Sequence, residues 1–139
     1  NFNVSAIDQK IQFNAGLPGT LEVDLERHML MGNEQGKMYV LEGELTLFLP
    51  GRKLVAGPGE VVYGPMNVPH TEQVTSPGPV RLVGVSSPAG FEQFVVAAGQ
   101  PATALTLPPA SLPPVDFAVL SQLAAEHDIE VLGPPGALP

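Results

Sequence analysis

The sequence predicts an all-β domain, and three features of the 139 residues support that fold class. Sixteen prolines and fifteen glycines occur without a fixed period. They separate short segments in which apolar and polar residues alternate, as expected for half-buried strands. Turn residues recur at intervals of about 8 to 12 residues, a spacing typical of a β-sandwich or β-barrel. The length fits one domain, which we place over residues 1–139.

Composition and charge limit the possible partners. The formal net charge is −8 with six lysine and arginine residues, so we do not expect nucleic acid binding, which depends on basic contacts with phosphates. The absence of cysteine excludes disulfides and thiolate metal sites, and any metal must be held by histidine or carboxylates. No apolar run reaches the roughly 18 residues that cross a bilayer, and no signal peptide opens the sequence. We therefore expect a cytoplasmic protein with no membrane partner.

The first third of the chain is predicted to form three strands. Short alternating segments around Val4 and residues 11–13 are predicted to be edge strands, followed by a turn at residues 15–19. From Thr20 to Met31 the alternation continues and predicts one strand, with apolar residues on one face and His28 on the polar face.

The strongest strand pattern runs from Met38 to Leu49 and is interrupted at Gly43, where glycine permits a bend. A hairpin turn and a second glycine-proline corner follow, and a proline-bounded loop then leads to His70. Further strands are predicted at residues 53–55, 60–63, 70–75 and 80–86.

The pattern changes to a helical period after Pro88. Phe91, Phe94, Val95 and Ala98 form one apolar stripe that ends at Gly99. Asp116 is a predicted N-cap of a second helix, with a docking stripe of Phe117, Leu120, Leu123 and Ala124. The proline-rich residues 107–114 between them predict an extended connector, and the tail is predicted to run along the barrel. This division gives a barrel over about residues 1–87 and a helical extension over about residues 88–139.

Residues 59–70, GEVVYGPMNVPH, resemble the second cupin motif. That motif is a glycine, five residues, a proline, one residue, usually a glycine, two more residues and a histidine. Gly59, Pro65 and His70 fall in register, Asn67 takes the place of the usual glycine, and Val74 stands where asparagine is common.

Two further segments extend the resemblance. MYVLEGE, residues 38–44, resembles the end of the first cupin motif, with Gly43 as its closing glycine. The segments SPAGFEQF and IEVLGPP are similar to those of small single-domain, quercetin-dioxygenase-like cupins. The resemblance covers roughly residues 20–135. It implies a cupin-type jelly-roll β-barrel with two short C-terminal helices, and it implies pairing as a homodimer.

The first motif departs from the metal-binding pattern of the family. Metal-binding cupins have two histidines separated by one residue, then a glutamate three or four residues later, six residues before the closing glycine. Gly36 stands in the glutamate position, and the stretch between Leu25 and Tyr39 is several residues short. We therefore favour no metal cofactor. A looser register offers His28, Glu34 and His70 as an alternative site for iron, nickel, manganese or copper.

His70 and Glu72 are the predicted catalytic residues. They alternate on one face of a strand, and the resemblance implies that this face lines the barrel. Met38 and Val40 are predicted to face inward too, and Tyr63 and Met66 to contribute to the pocket wall, which makes the pocket apolar. The alternative is that these residues serve only in core packing or as ordinary polar residues at the barrel mouth, with His28 pointing to water.

Three functions follow from this arrangement. The first is an enzyme acting on a small, largely apolar, aromatic or polyketide-like molecule, of the kind found in secondary metabolism. His70 would act as base or acid and Glu72 as its partner in an isomerisation, cyclisation or elimination. The second is a metal-dependent dioxygenase that uses His28, Glu34 and His70. The third is a non-catalytic module that binds a small molecule.

Overall fold

The computed structural model describes residues 2–7, 10–14, 21–24, 29–32, 34–101, 116–133 and 137–139. These residues form twelve strands and two helices. The strands are β1 (Phe2–Ile7), β2 (Lys10–Asn14), β3 (Leu21–Asp24), β4 (Met29–Gly32), β5 (Gln35–Glu42), β6 (Leu45–Leu49), β7 (Arg52–Ala56), β8 (Val61–Gly64), β9 (Thr71–Val74), β10 (Val80–Ser87), β11 (Gln100–Pro101) and β12 (Ile129–Gly133). The helices are α1 (Phe91–Ala98) and α2 (Phe117–Ala125).

The strands lie in three antiparallel sheets. Seven strands pair in the order β11-β3-β2-β1-β10-β5-β8, three pair in the order β7-β6-β9, and β12 pairs with β4. Together with the two short helices, this arrangement confirms the predicted all-β jelly-roll fold class. Among the described residues, no helix is long and apolar enough to cross a membrane.

The prediction that the first two strands lie at a sheet edge is wrong. β1 lies between β2 and β10, with Val4 opposite Phe13 on one side and Leu82 on the other. β2 in turn pairs with β3. A short segment carries no local mark of its position in a sheet, because that position depends on a partner far along the chain.

The single strand predicted from Thr20 to Met31 is also wrong. β3 belongs to the seven-stranded sheet, whereas β4 pairs with β12. The alternation from Leu21 to Met31 therefore does not describe one sheet surface. His28 lies outside the described residues, as does the predicted connector at residues 107–114.

Gly43 carries the chain from the seven-stranded sheet into the three-stranded sheet. Its φ is +79°, a conformation that side chains disfavour. A Cβ at this position would lie 2.5 Å from the Pro79 carbonyl oxygen, so only glycine fits. The predicted bend between β5 and β6 is confirmed.

An apolar core, here called the barrel core, fills the space between the two larger sheets. Met38 and Val40 enter it from β5, and alternate residues of β6 face them from the other sheet. Its buried members are Met38, Val40, Leu45, Leu47, Leu49, Ala56, Val62, Val80 and Leu82. The predicted inward orientation of Met38 and Val40 is confirmed.

A second apolar cluster joins the helices to β12. Phe94 and Val95 of α1 pack with Leu120 and Ala124 of α2, as the helical stripes predicted. The Asp116 carboxylate accepts backbone hydrogen bonds from Ala118 and Val119, which confirms the N-cap. Phe117 was predicted to dock but is exposed, because it lies at the first helical position, before the packed stripe begins.

Candidate functional site

The loop before His70 is fixed by an asparagine in a left-handed conformation. Asn67 has φ +56°, and its backbone N–H donates to the Gly32 carbonyl oxygen at 2.8 Å. Asparagine tolerates this conformation better than most residues with a side chain. This explains why asparagine can replace the usual glycine of the motif, and it ties the loop to the end of β4.

His70 is held by the same loop. Its Nδ1 lies 3.0 Å from the Val68 carbonyl oxygen, and the residue is half-buried. Because a carbonyl oxygen can only accept, this contact requires the proton on Nδ1. In the neutral imidazole, Nε2 then carries the lone pair and can accept a proton from another molecule.

Glu72 faces the barrel core. β9 pairs with β6 so that Glu72 lies opposite Leu47 and Val74 lies opposite Leu45, and both leucines are buried. Glu72 itself is half-buried. This burial raises the pKa of Glu72, while neighbouring His70 acts in the opposite direction. Glu72 and His70 therefore lie close enough to interact electrostatically beside the apolar interior.

The other predicted pocket residues separate into two groups. Met38 and Val40 lie in the barrel core, on the side that Glu72 faces. Tyr63 follows the buried Val62 and lies on the opposite face of β8, 40% exposed, where its hydroxyl donates to Gln35 Oε1 at 2.6 Å. The structure therefore does not bring Tyr63 to the barrel core. Met66 is exposed in the loop that leads to His70.

The described residues do not assemble a metal site. Among them, no three histidine or carboxylate side chains lie close enough together to hold a metal ion. The contacts of Glu34 lie elsewhere, against Gly90 and Glu92. A two-histidine, one-carboxylate centre also requires His28, which lies outside the described residues. The set His28, Glu34 and His70 stays a prediction.

A pair of carboxylates at the start of α1 was not foreseen from the sequence. Glu34 Oε1 lies over Gly90, where a Cβ would approach within 2.9 Å, and Glu34 Oε2 is buried without a hydrogen-bond partner among the described residues. Glu92 accepts a hydrogen bond from the Gly90 N–H at 2.8 Å. Burial and, second, the charge of Glu92 raise the pKa of Glu34 to about 7. No local pattern could have revealed a pair so distant in sequence.

Comparison with known proteins gives one family. A family model described as a cupin domain matches residues 17–86, half of the chain. A quercetin 2,3-dioxygenase of Bacillus subtilis (strain 168) is 33% identical over 63 residues, which are 45% of this chain and 18% of that protein. The match thus spans less than a fifth of the relative's length.

Solved structures show similar folds at low similarity. A protein of unknown function from Rhizobium leguminosarum bv. viciae 3841 is 27% identical with a TM-score of 0.42, covering 60% of this chain and 85% of that one. The polyketide cyclase RemF from Streptomyces resistomycificus is 21% identical with a TM-score of 0.39, covering 78% of this chain and 65% of that one. Structural similarity this low does not indicate which reaction, if any, this chain catalyses.

The Glu34 pKa predicts a pH-dependent stability. Because the folded-state pKa is about 7 against an ordinary value of 4.5, the folded protein binds this proton more tightly than the unfolded chain. The contribution is fully present below about pH 4.5 and is lost as the pH rises through about 7. We expect Glu34→Gln to lose less stability than the parent over this range, measured by urea unfolding.

The control for this measurement is Glu130→Gln, which changes an exposed acid on β12. Its profile should run parallel to that of the parent. A Glu34→Gln profile that also runs parallel to the parent would contradict the assigned pKa.

Proposed function

The chain belongs to the cupin family, and from this premise we propose that it is an enzyme that moves protons on a small molecule bound at the barrel core. The substrate we propose is largely apolar, aromatic or polyketide-like, because the side chains around the site are aliphatic. One observation carries the proposal: a half-buried carboxyl group with a raised pKa lies beside a histidine, on the face of β9 that is turned toward the apolar core.

The chemistry assigns one role to each residue. His70 holds a proton on Nδ1 against Val68, so its Nε2 is the basic atom that can remove a proton from carbon next to a carbonyl. The raised pKa of Glu72 increases the protonated fraction at a given pH, and a protonated carboxyl can donate to the carbonyl oxygen. Removing one proton and stabilising the resulting oxygen gives an enol. Isomerisation, cyclisation and elimination all proceed through this type of step.

A proton-exchange assay tests the proposal without knowledge of the natural substrate. The probe is 2-tetralone, whose exchange of α-protons for deuterium in D₂O is followed by ¹H NMR with protein dialysed against a chelator. His70→Ala should slow the catalysed exchange by about 100-fold or more, the contribution typical of a general base. Glu72→Gln should slow it as well, since the amide cannot supply the acid proton.

His127→Ala is the control, because His127 packs beside Phe94 in the helix cluster, away from the barrel core. It should exchange the probe at the parent rate. Circular dichroism and thermal melting check that each variant folds. A His70→Ala variant that retains the parent rate would refute the assignment.

The 33% identity to a quercetin 2,3-dioxygenase favours a second candidate, a metal-dependent dioxygenase using His28, Glu34 and His70. This hypothesis predicts that the protein binds iron, nickel, manganese or copper and that His70→Ala loses the metal. It also predicts oxygen uptake when quercetin is added. Elemental analysis and an oxygen electrode distinguish it from proton transfer. Tight binding of both probes without turnover would instead support the third candidate, a binding module.

We also propose that the chain forms a homodimer through the outer face of the seven-stranded sheet. The face away from the barrel core carries several exposed apolar side chains around Lys37, where solvent would normally favour polar residues. Neighbouring strands β8, β5 and β10 pair there, with Val61 opposite Tyr39. The exposed members of this outer sheet face are Tyr39, Leu41, Val61, Tyr63 and Val85. A second copy would cover the same residues on each partner, as a twofold interface requires.

A charge placed on the outer sheet face tests the dimer. Val61→Glu, at a position 55% exposed, should leave the fold intact and shift the protein to a monomer, because burying an unpaired carboxylate at an interface is unfavourable. Val55→Glu is the matched control, since Val55 is 50% exposed on β7 in the other sheet. Sedimentation velocity gives the mass. A monomeric parent, or dissociation by both substitutions, would contradict the proposed interface.

Three other expectations come from the sequence. We infer one cupin domain over residues 1–139, a small molecule as the partner at the barrel, and a cytoplasmic location. The small molecule follows from the cupin resemblance and the apolar core, and the location from the lack of an apolar run long enough to cross a bilayer; all three stay predictions.

A further inference from the structure

Thr71 is buried where alternation predicts an exposed residue. It lies between His70 and Glu72 and points to the opposite face of β9, since Glu72 faces the barrel core. Its cross-strand neighbour on that face is Phe48, whose ring lies 5.7 Å from the exposed Lys53 ammonium. Thr71 is nevertheless only 2% exposed. Something covers the outer surface of β9 at this point.

The cover includes the segment 137–139. The Thr71 hydroxyl donates to the Ala137 carbonyl oxygen at 2.8 Å, a contact between residues far apart in the chain. A neutral hydrogen bond of this kind stabilises a fold modestly, and an acceptor left without its donor away from water is more costly. The covering segment is therefore held to β9 by a specific hydrogen bond.

β9 is a short strand at the edge of its sheet. It has four residues, and among the described strands it pairs in its sheet with β6. The segment 137–139 follows β12, which pairs with β4, and the end of β4 holds the loop before His70 through the Asn67 N–H. The start of β9 is thus held on either side of His70 in sequence, by the end of β4 through Asn67 and by segment 137–139 through Thr71.

We propose that Thr71 is a positioning residue and that segment 137–139 acts as a clamp, holding the start of β9 so that His70 and Glu72 keep their orientation toward the barrel. The proposal rests on the proposed function in one respect, which is that His70 and Glu72 are the reacting pair. Its geometry is independent of the substrate. The clamp is bonded to Thr71, whose side chain points away from the face of Glu72, so it acts through the backbone of β9.

The test determines the tautomer of the His70 imidazole in protein without substrate. Long-range ¹H–¹⁵N NMR reports which ring nitrogen carries the proton, with the His70 signals assigned from His70→Ala. The parent should show the proton on Nδ1, as the Val68 contact requires. Thr71→Val removes the hydroxyl at nearly constant volume and should give a mixture of the two tautomers. Thr71→Ser, which restores the hydroxyl, should return the parent pattern.

Thr75→Val is the matched control, because the Thr75 hydroxyl bonds to Glu44 and Thr46 and not to the clamp. It should leave the His70 pattern unchanged. A chain lacking residues 137–139 keeps the Thr71 hydroxyl and removes its acceptor, so it should reproduce the effect of Thr71→Val. This chain also keeps the test valid where Thr71→Val does not fold.

A purely structural role would give a different result. Thr71→Val and the shortened chain would then melt at a lower temperature but keep the parent tautomer pattern, and the proposal would be overturned. The same experiments distinguish this outcome from a failure of the proposed function. In that case the tautomer pattern would still change in Thr71→Val, while His70→Ala would exchange 2-tetralone at the parent rate.

Discussion

The pairing of β9 with β6 is the constraint on which the candidate site depends. It places Glu72 opposite Leu47, a fully buried member of the barrel core. A one-residue shift of this register would turn Glu72 to the outer surface and bring Thr71 or Gln73 inward. The site therefore exists because hydrophobic packing across the two sheets fixes the register, and the coupling to His70 follows from the alternation of residues 70 and 72.

A carboxyl group turned toward an apolar core makes the folded state less stable. Removing its charge from water is unfavourable, so burial shifts Glu72 toward its neutral form. An apolar residue at this position would pack on Leu47 without that penalty. Proteins commonly retain such groups where they serve function at the expense of stability. The same reasoning applies to Glu34, whose buried oxygen lacks a partner among the described residues, although its contacts lie at the start of α1.

The features that could be predicted from sequence are those with local causes. Gly43 was identified because a bend needs a residue without Cβ, and Asp116 because a helix N-terminus needs an acceptor. The two helical stripes followed from their period. Features that depend on distant partners were not predictable: β1 is central because β10 pairs with it, and Glu34 meets Glu92 only after α1 folds back. Tyr63 was assigned to the pocket because alternation shows two faces without saying which one is buried.

A carboxyl ¹³C NMR titration of Glu72 tests the central claim most directly. Burial in the barrel core should place its midpoint above the ordinary value of 4.5. His70→Ala should raise the midpoint further, because the neighbouring histidine favours the charged carboxylate. A midpoint near 4.5, or one that His70→Ala leaves unchanged, would show that partial burial and His70 do not determine the charge state of Glu72.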